Sequence, residues 1–206
     1  MKNTLILLID FEGERELQDQ NYLNNRYVSF LNILQDRKIN REKCIIVFNT
    51  ADILNPQLRK LLKYAWLEKW NVYNLSKETD SGYKDIDIET FIKVVKEKKP
   101  EFNIEPDKTN IIIGGTETSG CVLSNKQIGA LHWSKRGYDT TIYLPFCAEV
   151  SAYGTSWYEK QQTAFSIFWA EIKKYDPKDY KSLHILSHHT GLRNKLLLSD
   201  VAIKPL

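Results

Sequence analysis

Cysteine is scarce in this chain: Cys44, Cys121 and Cys147 are the only three among 206 residues. An odd count without metal-ligand spacing argues against a disulfide framework and against a zinc site. It fits a reducing compartment, and a cytoplasmic protein is expected. Long apolar runs are missing too: none approaches the ~18 residues of a membrane-spanning helix, so no membrane partner is expected. The start of the sequence, Met1-Lys2-Asn3-Thr4, leads straight into a strand pattern, and no secretory signal is predicted. Charge of one sign is also lacking. The net value is +3, too small to point to nucleic acid. There is no internal repeat and no low-complexity stretch. What is present is an ordinary globular composition, 42% hydrophobic and 27% charged, at a length that suits one domain with a substantial core.

Strand-like and helix-like segments alternate, which predicts an α/β fold: three layers, with a central, mainly parallel sheet covered on both faces. Leu5–Asp10, Lys43–Asn49, Asn71–Ser76, Thr109–Gly114 and Thr140–Leu144 read as strands. Leu23, Tyr27, Phe30, Leu31 and Leu34 recur at helical spacing. Pro56 opens a helix with Leu58, Leu61, Leu62, Ala65 and Trp66 on one face. Thr90–Lys98 reads as a short helix whose lysines, with Lys99, form a solvated face. Cys121–Arg136 reads as the helix after the fourth strand, closed by Gly137. A last long helix carries Trp157, Gln161, Ala164, Phe165, Phe168 and Ile172. Residues 1–175 are expected to form the domain proper. Residues 176–206 are expected to form an extension that packs on the core or on a partner subunit, because their apolar content is too high for a disordered tail. His188-His189 within it is not read as a metal site, since adjacent histidines point apart and no further ligands accompany them.

The chemistry concentrates at strand ends. Gly115-Thr116-Glu117-Thr118-Ser119-Gly120-Cys121-Val122 follows the run Asn110–Gly114, so Cys121 is expected where a strand gives way to a helix. A thiol there would meet unpaired backbone N–H groups and the positive end of a helix dipole, both of which favour thiolate. A cysteine is otherwise most often a small buried hydrophobe. Leu5–Ile9 ends in Asp10, and Val72–Ser76 ends in Lys77. An acid, a base and a thiol at three strand ends would face the crevice where open α/β sheets bind ligands.

These segments resemble the cysteine hydrolases of the isochorismatase-like superfamily, which includes nicotinamidases and N-carbamoyl amide hydrolases. Ile9-Asp10-Phe11-Glu12 is similar to the family's I-D-x-Q, and Lys77-Glu78-Thr79-Asp80-Ser81-Gly82-Tyr83 to its K-x-x-x-S-x-F. Gly115, Thr118, Cys121 and Val122 match G-x-x-T-x-x-C-V, followed by Ala130-Leu131 and Gly137-Tyr138. The resemblance runs from Thr4 to Ile172 and leaves the last thirty or so residues unmatched. It implies cleavage of a small amide or ureido C–N bond through a thioester, with a triad of Asp10, Lys77 and Cys121. It further implies an oxyanion site at the backbone of Cys121 and Glu117, often with a cis peptide before the latter, here Thr116-Glu117. Thr116, Tyr83, Tyr153 and Trp157 are the other candidate substrate contacts. A homo-oligomer, dimer or larger, is implied as well. No cofactor is expected. The metal-binding members use a D-x-H-P box, and here Asp52-Ile53-Leu54 keeps the aspartate and has leucine for the histidine. Glu12 for glutamine and Glu117 for a small residue are further departures. They motivate the alternative of an inactive or re-purposed member that acts as a binding protein.

Overall fold

The computed structural model describes residues 2–9, 20–36, 39–49, 56–75, 87–116, 118–147, 157–186 and 196–197. The strands are β1 (Asn3–Ile9), β2 (Cys44–Asn49), β3 (Asn71–Asn74), β4 (Thr109–Gly115), β5 (Asp139–Tyr143), β6 (Leu183–Leu186) and β7 (Leu196–Leu197). The helices are α1 (Gln20–Gln35), α2 (Pro56–Leu67), α3 (Ile88–Lys98), α4 (Ala130–Lys135) and α5 (Trp157–Ile172). One sheet joins all seven strands in the order β3-β2-β1-β4-β5-β6-β7. The first six are parallel, and β7 runs antiparallel to β6.

The uninterrupted apolar runs follow from a sheet covered on both faces. Leu5, Leu7 and Ile9 join Ile45, Val47, Ile111, Ile113 and Ile142 in a core shared with Phe91 and Val95 of α3, Trp133 of α4, and Phe168 and Ile172 of α5. Ile6 and Leu8 point the other way. They meet Ile46, Phe48 and Ile112 together with Tyr27, Phe30 and Leu34 of α1 and Leu58 and Ala65 of α2. The fold is therefore a three-layer α/β sandwich, with α1 and α2 on one face and α3, α4 and α5 on the other. Among the described residues, no helix is long and apolar enough to cross a membrane.

Three expectations change. The helix expected over Cys121–Arg136 shrinks to Ala130–Lys135. Upstream the chain turns on itself: Ser124 Oγ accepts from Lys126 N at 3.0 Å, and Gln127 takes a left-handed φ of 52°. Trp66 leaves the apolar face of α2 and is 73% exposed. At 100° per residue, position 66 falls about 80° round from Leu58, past the stripe that Leu58 and Ala65 bury. Lys99 is not a solvated lysine; its Nζ donates to Glu42 O at 3.3 Å and lies 3.6 Å from Glu101. Within the stretch 176–206, Leu183–Leu186 forms a sixth parallel strand beside β5.

Candidate functional site

The strand order reverses between β1 and β4. In open α/β sheets such a switch point, where consecutive connections leave to opposite faces, is where ligand crevices form at the carboxyl edge. Ile9 closes β1, with Asn49 opposite it on β2 and Gly115 opposite it on β4. The backbones of β1 and β4 approach very closely at this level. A Cβ on Gly115 would stand 1.8 Å from Ile9 O, and Gly115 has φ +153°, so only glycine fits. Thr116 N then donates to Ile9 O at 3.0 Å, which carries the pairing one residue beyond the strand.

Buried polar groups lie at this edge on both faces of the sheet, Arg26 on the α1 side and Asn49, two positions after Val47, on the α3–α5 side. Arg26 of α1 is 1% exposed, and its Nη2 donates to Gly115 O and to Thr116 Oγ1, each at 3.1 Å. Asn49 is buried at the end of β2. Neither stood out as a functional candidate in the sequence, yet each carried a signal. Arg26 lies three positions after Leu23 and four before Phe30, so a charge interrupts the apolar stripe of α1. Asn49 is a polar residue ending an apolar strand, as Asp10 does.

Beyond β4 the chain forms a single π-turn over Thr118–Val122, in which Leu123 N donates to Thr118 O at 3.1 Å. Such one-turn π segments are rare and concentrate at functional sites. Thr118 and Val122 are buried, and Cys121 is half-buried against the α3–α5 core. The helix α5 packs against this turn. The thiol therefore does not sit at the N-terminus of a helix. The six-residue α4 begins nine positions later at Ala130, so the expected dipole contribution to thiolate stability is withdrawn.

Of the sequence candidates, Thr116 and Cys121 are brought to one strand end, on either side of Glu117. Trp157 opens α5, and its side chain lies outside the described residues, as do Asp10, Lys77, Tyr83, Glu117 and Tyr153 altogether. Glu12, Asp52, Leu54 and His188-His189 lie outside them as well.

The other two thiols have different surroundings. Cys44 is fully buried, and burial pushes its pKa up to about 12 despite the nearby charge of Lys99. Cys147 is buried and donates to Tyr143 O at 3.4 Å. Thiolate is the form that alkylates, and it needs access. Limiting iodoacetamide at neutral pH should therefore modify Cys121 first, with Cys44 and Cys147 reacting only on unfolding. Peptide mass mapping reads the order, and equal labelling of all three would remove the case for a distinctive thiol. Comparison with family models, with curated proteins and with solved structures finds no match for this chain.

Proposed function

We propose that this protein is a cysteine hydrolase of the isochorismatase-like kind, acting on a C–N bond of a small amide or ureido compound. The observation that carries the reading is the position of Cys121. It is the half-buried thiol of the three, in a π-turn just beyond β4, where the strand order reverses. The strand order β3-β2-β1-β4-β5-β6 supports it as well, since a sheet of this kind opens its ligand crevice at that point.

In the proposed reaction Asp10 takes the proton of the Cys121 thiol, and the sulfur forms a bond to the substrate carbonyl carbon. Backbone N–H groups of Cys121 and Glu117 receive the oxyanion. The C–N bond breaks as Asp10 passes its proton to the departing nitrogen, leaving a thioester. Water then gives a proton to Asp10 and its oxygen to the carbonyl carbon; the C–S bond breaks, and Asp10 returns that proton to the departing thiolate. Lys77 keeps Asp10 ionised and favours thiolate by its charge.

The test is a panel of small amides and ureido compounds, read by release of ammonia or amine and by intact mass for an acyl adduct on Cys121. Turnover accompanied by the adduct is the expected result. Adduct formation on another residue, or none with any turned-over substrate, overturns the mechanism. Activity should survive exhaustive dialysis against a chelator, because leucine stands at position 54 where the metal-binding relatives have histidine. Loss of activity that zinc restores would refute that expectation.

A second reading, a re-purposed family member that binds without turnover, is favoured by one observation. Cys121 lacks a helix N-terminus to stabilise its thiolate. Saturable binding of a panel compound without adduct or release would support it.

A further inference from the structure

We infer that Arg26 is a positioning residue for the Cys121 chemistry: from the opposite face of the sheet it fixes the end of β4 from which the thiol-bearing turn hangs. The inference rests on the reading of Cys121 as the nucleophile. Burying a guanidinium is costly unless its donors are used. Here Nη2 is used on two adjacent residues, Gly115 O and Thr116 Oγ1, the last described positions before the turn. Gly115 makes such a restraint necessary. With no side chain and φ +153°, its peptide group could rotate through conformations closed to other residues.

Three contacts remove that freedom. Thr116 N is tied to Ile9 O, Gly115 O to Arg26, and Thr116 Oγ1 to the same guanidinium nitrogen. On the far side α5 holds the turn itself. The strand end is thus gripped from both helical layers, and the grip on the α1 side is a positive charge. Because Arg26 is 1% exposed, little water competes for these hydrogen bonds.

The test is the pH profile of Cys121 alkylation in wild type, Arg26→Lys and Arg26→Gln, followed on the Cys121 peptide with thermal melting in parallel. In Arg26→Gln the rate at neutral pH should fall about tenfold or more, as misplacement of a reacting group does. The midpoint of the profile should rise, because a displaced turn carries the thiol away from the groups that favour thiolate. Arg26→Lys should recover part of both effects. Folded variants with the wild-type profile overturn the inference while leaving the hydrolase reading intact. A wild-type Cys121 that alkylates with the rate and profile of an ordinary thiol sinks that reading and the inference with it. If neither Arg26 variant folds, Thr116→Val removes one of the two acceptors and decides the matter. A slowed, upshifted profile there supports the inference, and an unmoved one overturns it.

Discussion

Replacing Cys121 with alanine should abolish turnover of every amide or ureido compound that the wild-type protein hydrolyses, with the fold left standing. Loss of a nucleophile lowers kcat by roughly 10⁶-fold in hydrolases built on one, which places the variant at background. Cys121→Ser should be nearly as inactive. Its hydroxyl stays un-ionised near neutral pH, and serine nucleophiles rely on a base aligned for them. Stability should change by less than about 1 kcal/mol, because the thiol is half-buried while Thr118 and Val122 carry the burial of the turn. Release assays, intact mass and thermal melting separate these effects. Wild-type turnover in Cys121→Ala would remove the cysteine from the chemistry.

The second large effect is on folding. Gly115→Ala should destabilise the protein by roughly 3 kcal/mol or more, since it combines overpacking with a strained backbone, each of order 1–3 kcal/mol. The new Cβ would stand 1.8 Å from Ile9 O and 2.7 Å from Ile9 C. These are main-chain atoms of the central strand and cannot rotate away. Ile9 O is also the acceptor of Thr116 N, so any displacement breaks the link between β1 and the strand end. For a domain of this size the melting midpoint should fall by about 10 °C. Gly114→Ala is the matched comparison. Its Cβ would meet Phe146 Cβ at 2.3 Å, a clash without a positive φ. It should cost less than Gly115→Ala, and the reverse order in denaturant melts would show that the close approach of β1 and β4 is misread.

Much of the architecture was legible because its signals are local. Continuous apolar runs such as Leu5–Ile9 and Cys44–Phe48 mark strands covered on both faces, and 3.6-residue stripes such as Tyr27, Phe30 and Leu34 mark helices on a sheet. Those periods depend only on backbone geometry, so a layered α/β fold with Cys121 just past a strand end could be read from order alone. The surroundings of that thiol could not. Whether residues after Cys121 continue as a helix was decided by the turn at Ser124–Gln127 and by the crowding of Gly129 against Ser124 O, where a Cβ would stand 2.3 Å away. The strand order that sets β1 beside β4 is a pairing between residues more than a hundred positions apart. The burial of Arg26 beneath Gly115 and Thr116 follows from that pairing, as does the demand for glycine at 115. The turn at Ser124–Gln127 is local but has no repeating period to announce it; the strand pairing, the burial of Arg26 and the demand for glycine at 115 are contacts between distant segments, determined by packing rather than by the residues on either side of them.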